Sequence, residues 1–376
     1  MSTMHDLIVI GGGINGATTA LFAARGGMDV VVIDRGPLCR EASGVNAGTL
    51  TMQMTRVALI PYALRAHHMW ATAREWLGHD VGVVVCDGLS LAFTEQEAEL
   101  LTFRAGKRRE AGAPIALITG QQALQIEPGL SGKALLAGHC RVDGYANAYL
   151  TGLAFRTALI HAGVTLMENN PASDIRQTSS GFEVVTTQGL VKAKRVVIAG
   201  GVWIEDMMRW LGIDLPIKTL VNQLAVTERI PVAMRTVVGI ANGLLSLKQY
   251  PHGTVVIGGG WQGSGSREGG ACALLPERLV GNIRLACHAI PALKEARLAR
   301  AWTGFEAETR DALPAVGPIP GIDNAYVIGS IHSGYTSGPY LAKLLAEQIL
   351  GREPDLPLFP IDRLLKPSLL RKDNIG

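Results

Sequence analysis

The chain has few cysteines, no long apolar run and no surplus of either charge. Cys39, Cys86, Cys140, Cys272 and Cys287 are widely scattered and form no C-x-x-C pair. That odd, dispersed set argues against a disulfide framework, a zinc site or an iron–sulfur cluster held by this chain alone, so no metal ligands are predicted. It points to a reduced, cytoplasmic compartment, with the chain in solution or peripheral to a membrane. No apolar run approaches the ~20 residues of a membrane helix, so no transmembrane segment is expected. The opening "MSTMHD" lacks a basic n-region, so no signal peptide is expected either. Lys plus Arg number 35 and Asp plus Glu 32, and the resulting net charge of +3 argues against nucleic acid as a partner. No G-x-y period or low-complexity tract occurs.

Glycine is abundant. The 45 glycines among 376 residues amount to about 12 %, against a usual ~7 %, which fits tight turns and close approach to a ligand. A mean hydropathy of +0.22 permits a large protein interface. The length allows a sizeable core and two domains.

The most informative stretch is "LIVIGGGINGA" at 7–17. Leu7, Ile8, Val9 and Ile10 form a short apolar run suited to a buried parallel strand. Gly11, Gly13 and Gly16 follow in G-x-G-x-x-G spacing. A helix is predicted over 17–25 and a second strand over 28–33, with Asp34 at its end about 20 residues beyond the glycines. In such a unit the glycines let backbone approach a pyrophosphate, and the helix N-terminus donates N–H groups to the phosphates. Asp34 can accept from ribose hydroxyls. The unit alone does not separate NAD from FAD.

Further along, 59–78 reads as a helix and "GVVVCDGLSLAFT" at 82–94 as strands around a turn. Residues 95–112 read as a charged amphipathic helix whose basic cluster forms a solvated face, and 119–130 as a short helix stopped by Pro128. A helix and strand follow over 147–169, then a hairpin or meander running into "RVVIAGG". The segment 230–261 is strand-rich, 275–293 helical, and 324–351 strand, glycine loop, helix. His67, His68, Trp70 and Trp76 fit helix packing. The expected class is α/β: a Rossmann-like dinucleotide domain from 1–82, 140–215 and 301–376. A substrate domain from 83–139 and 216–300 is built on an antiparallel sheet with helices.

Five ordered motifs, "VIGGGINGA…VIDR", "EASGVNAG", "RVVIAGGVW", "DALPAVGPIPG" and "GSIHSGYTSGP", resemble the FAD-dependent D-amino-acid oxidase and glycine/sarcosine oxidase superfamily over nearly the whole chain. "CREASGVNAGTL" and "SLKQYPHGTVVIGGGW" are most similar to flavin subunits of heteromeric amine dehydrogenases: those of opine (octopine or nopaline) oxidase, hydrogen cyanide synthase and D-hydroxyproline dehydrogenase. The resemblance implies FAD contacts at Gly11, Gly13, Ile14, Asn15, Gly16, Asp34 and Arg35. It adds Ser43, Gly44, Asn46, Ala47 and Gly48, with an N-cap as the alternative role of Ser43. It further implies Ala172, Ala199, Gly200, Trp203, Gly304 and Gly329, and the loop His332, Ser333, Gly334, Tyr335 and Thr336. No cysteine follows Cys287, so the flavin-linking cysteine of sarcosine-oxidase relatives is absent and FAD is expected to be non-covalent.

One departure bears on substrate. Relatives carry G-L-R-P-x-T-P-D-x-x-P, whose arginine grips a substrate carboxylate; here the stretch is "GFEAETRDALP" at 304–314. Thr309, Asp311 and Pro314 match, but Glu306 replaces the arginine and cannot grip a carboxylate bidentately. Glu306 then either faces a cationic group of the substrate or pairs with a nearby Arg or Lys. Lys248, Gln249 and Tyr250 are further pocket candidates, with Gln249 on the opposite strand face from the other two. His332 either transfers a proton or braces its loop. The resemblance implies oxidation of an opine C–N bond to an imine that hydrolyses to an amino acid and a 2-oxo acid. Electrons would pass to partner subunits, a second flavin or nucleotide-binding subunit and an iron–sulfur subunit, which alone could carry FMN or a cluster. The alternatives are a D-amino acid, D-hydroxyproline or glycine dehydrogenase, a flavin subunit that only relays electrons, and an NAD-linked dehydrogenase.

Overall fold

The computed structural model describes residues 4–365; the expectations for 1–3 and 366–376 lie outside them. The run at 7–10 and the strand Val30–Ile33 are buried at every position, as strands covered on both faces must be. They pair in parallel, and Gly189–Ile198 and Ala325–Gly329 extend the parallel sheet on one side and Thr165–Met167 on the other. Alternate residues serve two cores. Leu7, Val9, Val30 and Val32 pack with the helices Ile14–Arg25, Ala148–His161 and Gly334–Ile349. Ile8, Ile10, Val31 and Ile33 pack with Ile175, Val184, Ile204 and Met208 on the other face. Ala315–Pro318 closes one edge antiparallel, and the hairpin Ala172–Thr178/Gly181–Thr186 joins Gly189–Ile198.

A second sheet of nine strands is antiparallel except where Val237–Ile240 runs parallel to Val84–Ala92. Leu89, Leu91, Val238, Leu247 and Ile257 form its core beneath the helix Pro276–Ala289. The expected domain boundaries at 140 and 301 fall inside two of its strands, Leu136–Tyr145 and Leu298–Glu308. Thr49–Leu50 also pairs with it, opposite Gly144 and Tyr145.

Two local expectations are corrected. Residues 84–92 are one strand, not strands around a turn, and its register shifts between Cys86 and Gly88. A Cβ at Gly88 would lie 2.0 Å from Asp143 Oδ2, so that glycine makes room for a buried carboxylate and leaves the strand unbroken. The helix expected over 59–78 is split at Thr72 into Ile60–Ala71 and Ala73–Leu77.

The C-terminal helix contains Pro339, which has no N–H for the carbonyl of Tyr335. Trp70 Nε1 donates to that carbonyl at 2.9 Å, and its ring stacks on Tyr335 at 4.8 Å between centroids. Trp70→Phe keeps the packing and orphans the carbonyl, and is expected to lower stability by about 1–3 kcal/mol in urea unfolding. An unchanged midpoint would show that the bond contributes nothing.

Candidate active site

The glycine turn sits at the carboxyl end of the Met4–Ile10 strand. Gly11 has φ +107°, and a Cβ there would lie 2.4 Å from Ala199 O; one at Gly16 would lie 2.0 Å from Gly11 O. A side chain at Gly16 would force the helix from the strand end, and one at Gly11 would press on the backbone after the neighbouring strand Gly189–Ile198. The helix Ile14–Arg25 has no side-chain cap of its own at Gly13. Its first N–H, that of Ile14, donates instead to Ser43 Oγ at 2.9 Å. Ser43 therefore tends the N-terminus of a different helix from the short one, Ala42–Val45, in which it lies.

Asp34 accepts from Gly12 N at 2.6 Å and Gly36 N at 2.8 Å. Burial raises its pKa, and those two amides with Arg35 oppose the rise. The Arg35 guanidinium lies 3.4 Å over the Trp203 ring. At the far end, Ser330 and Ser333 hold left-handed φ values of 52° and 57°, turning the chain into the helix Gly334–Ile349. Thr336 Oγ1 donates to Thr49 O at 3.2 Å, joining that helix to the 43–49 loop.

These elements surround a cavity of about 1040 Å³. Gly11, Gly13, Ile14, Asn15, Asp34, Arg35, Ser43, Asn46, Ala47, Ala172, Ala199, Gly200 and Trp203 line it. So do Gly304, Glu306, Gly329, His332, Ser333, Gly334, Tyr335 and Thr336. Gly16, Gly44 and Gly48 do not, and act by closeness of backbone: a Cβ would lie 2.3 Å from Cys39 O at Gly44 and 2.1 Å from Ala146 O at Gly48. Asn15 Oδ1 is buried on the cavity wall without a hydrogen-bond partner. A glycine cradle, a helix N-terminus and an orphaned acceptor fit a polar dinucleotide.

Glu306 is held by an oriented chain. Val221 N donates to Gln262 Oε1 at 2.9 Å, so the Gln262 amide nitrogen points to Asn222 Oδ1 at 2.5 Å. The Asn222 amide nitrogen then donates to Glu306 Oε2 at 2.5 Å. His332 Nδ1 stands 3.4 Å from Glu306 Oε1, an ion-pair distance without hydrogen-bond geometry. Burial raises the Glu306 pKa, but His332, Asn222 and Arg56 together bring it below the usual glutamate value, so Glu306 is ionised at neutral pH.

Three expected pocket residues lie outside the cavity lining. Gln249 spends its amide on two loops, accepting from Ala233 N at 2.7 Å and Met234 N at 3.1 Å and donating to Pro231 O and Gly253 O. Tyr250 donates to Ala146 O at 3.1 Å and packs edge-on against Tyr145. Lys248 is fully buried, and its Nζ bonds Ala47 O at 2.9 Å and Thr49 Oγ1. Burial lowers its pKa to about 7. The basic cluster at 104–109 is not wholly solvated: Arg104, Lys107 and Arg108 line the cavity, as do Arg56, Asn222 and Gln262. Only the i, i+4 spacing of Arg104 and Arg108 signalled a shared face, and nothing in the sequence marked Asn222. Among the described residues no group of three or more His, Cys, Asp or Glu is placed to hold a metal, and no helix is long and apolar enough to cross a membrane.

A parallel strand, a turn without side chains, a helix N-terminus and a terminal carboxylate converging on one cavity define a Rossmann-type dinucleotide-binding oxidoreductase. The chain belongs to the FAD dependent oxidoreductase (DAO) family, whose profile matches residues 6–348, and FAD is its cofactor. It is 29 % identical over 373 residues to the glycine oxidase of Geobacillus kaustophilus, covering 96 % of this chain and 97 % of that one. It is 28 % identical over 381 residues to an opine oxidase subunit of Rhizobium meliloti, covering 95 % and 97 %. The fold matches the crystal structure of L-proline dehydrogenase from P. horikoshii with TM-score 0.87 at 24 % identity, covering 95 % and 96 %.

Gly16→Ala forces a methyl into Gly11 O and is expected to strip most FAD from the purified protein, read from the visible spectrum. Full retention would show that the turn can relax. The lysine at 248 keeps its proton to 10.5 when unfolded but only to about 7 when folded. Between those values the unfolded chain binds more protons, so stability rises with pH by up to about 1.4 kcal/mol per pH unit. Urea unfolding between about pH 7.5 and 9.5 should show that slope in the native protein and lose it in Lys248→Met. Equal slopes would mean that Lys248 keeps its proton when folded.

Proposed function

We propose that this chain is the flavin subunit of a heteromeric amine dehydrogenase that oxidises the C–N bond of an opine-like secondary amine. The observation that carries this reading is Glu306: an ionised carboxylate on the cavity wall, oriented by Asn222, offers a partner to a cationic amine or guanidinium. Similarity to the opine oxidase subunit of Rhizobium meliloti across 95 % of this chain supports it. The part of the chain around the first sheet binds the dinucleotide, and the second sheet supplies the substrate wall.

Bound FAD supplies the acceptor for the two electrons and one hydrogen that leave the carbon beside nitrogen. The glycine turn and the N–H groups that open the Ile14–Arg25 helix would hold its phosphates. The N–H groups that open the helix at Gly334 supply positive potential at the cavity. Glu306 draws in the cationic end of the substrate, and the Gln262–Asn222 chain keeps its oxygen aimed. The substrate nitrogen loses its proton before oxidation, and water hydrolyses the imine to an amino acid and a 2-oxo acid. Electrons then leave for partner subunits, one with a second flavin or nucleotide site and one with an iron–sulfur centre. The similarity to glycine oxidase supports a second reading, oxidation of glycine or a D-amino acid by the same site.

Anaerobic absorbance spectra with octopine, nopaline, hydroxyproline, D-amino acids and glycine test the proposal. Bleaching of the flavin band by an opine supports it; bleaching by glycine alone favours the second reading. A band that no amine bleaches favours a relay subunit. Glu306→Gln should leave FAD content intact and raise KM or lower kcat for the true substrate, and unchanged kinetics would remove Glu306 from substrate binding. Asn222→Asp sets a second carboxylate beside Glu306, and is expected to move the acid limb of the kcat/KM profile to higher pH.

A further inference from the structure

The cavity is electrostatically polar. Glu306 stands on one wall, and the helix Glu95–Glu110 presents cations on another. Arg104 and Arg108 are one helical turn apart and half-buried. Each is anchored through a single nitrogen to a backbone carbonyl: Arg104 Nη1 to Ala241 O at 2.8 Å, and Arg108 Nε to Thr55 O at 2.9 Å. Neither makes an ion pair among the described residues. The acid that acts on Arg108, Asp143, is committed to Met52 N, Thr51 Oγ1 and Gln53. Arg56, next to Thr55, adds a third guanidinium, and its ion pair with Glu308 at 3.5 Å is shared with Lys218.

Burying like charges together without a counter-ion is unfavourable unless an anion joins them. Burial and the neighbouring Arg104 and Arg56 lower the Arg108 pKa to about 10, which records the same crowding. Anchoring through one nitrogen leaves the rest of each planar fork free to grip a carboxylate with two parallel hydrogen bonds.

We propose that Arg104 and Arg108, with Arg56, form a carboxylate-binding subsite that selects amines carrying an anionic arm distinct from the end that meets Glu306. The inference deepens the amine-oxidising reading and names the substrate as a secondary amine with a carboxylate on that second arm. An amine without a second carboxylate would leave Arg104 and Arg108 without an anionic partner, and Arg56 with only the carboxylate it shares with Lys218.

The test uses an inert probe, malonate, titrated calorimetrically into the FAD-loaded protein at constant ionic strength, with malonamide as the uncharged control. Malonate should bind and malonamide should not. Arg104→Gln and Arg108→Gln should each weaken malonate about tenfold or more, as loss of a charge-assisted pair implies, with FAD content and thermal midpoint retained. Arg108→Lys, which keeps the charge and loses the fork, should fall between. Binding that is absent in the native protein, or equal in native and both Gln variants, overturns the subsite. Should a Gln variant lose FAD, the Lys variant and the native malonate–malonamide difference still decide. The titration needs no turnover, so a flavin that no amine bleaches would defeat the functional reading and leave this result standing.

Discussion

The structure depends on the way the 43–49 loop is clasped between its two sheets. Lys248, fully buried on the second sheet, reaches Ala47 O and Thr49 Oγ1. Trp302 Nε1 donates to Val45 O at 2.8 Å from a strand further along the same sheet. From the first sheet's side, the opening N–H of the Ile14–Arg25 helix bonds Ser43 Oγ. The loop is also tied within itself, because Asn46 accepts from Gly48 N at 2.6 Å and donates to Ser43 O at 2.7 Å. An irregular segment has few backbone bonds of its own, so these contacts set the wall of the cavity. A buried lysine with no carboxylate beside it is a costly fastener, which is why its proton is lost near neutrality.

The second constraint is the direction of hydrogen bonding around Glu306. A backbone N–H can only donate, so Val221 fixes the flip of Gln262, and Gln262 fixes that of Asn222. Glu306 receives a donor and remains an anion. With the guanidiniums of the Glu95–Glu110 helix on another wall, the cavity has opposite charge at different walls, where a low local dielectric strengthens each end. Position in such a cavity is decided by charge placement more than by shape.

Much of this was legible in the chain. The β-branched runs at 7–10 and 30–33 could be buried on two faces only as parallel strands. Gly11, Gly13 and Gly16 in their spacing required a turn with backbone contact, and Asp34 closed the unit. The loop at 332–336 and Glu306 were recognised by their motifs and line the cavity. Gln249 lies outside the cavity lining: alternation gives two faces without saying which one meets the ligand, and its amide serves the 230–234 segment. The stretch 82–94 suggests a turn because the buried carboxylate that needs the space at Gly88, Asp143, lies far away in sequence.

The sequence by itself determined the parallel sheet, the glycine turn with its following helix, and the family, because these rest on local periodicity and on residues a few positions apart. Tertiary structure alone decided which wall each charge occupies. Arg104 and Arg108 look like a solvated face until Thr55 and Ala241 arrive from two other segments to anchor them. Lys248 looks like a pocket cation until Ala47 and Thr49 enclose it. The pKa of a charged side chain follows from its neighbours in space and from the water they exclude, and neither is written in the order of the chain.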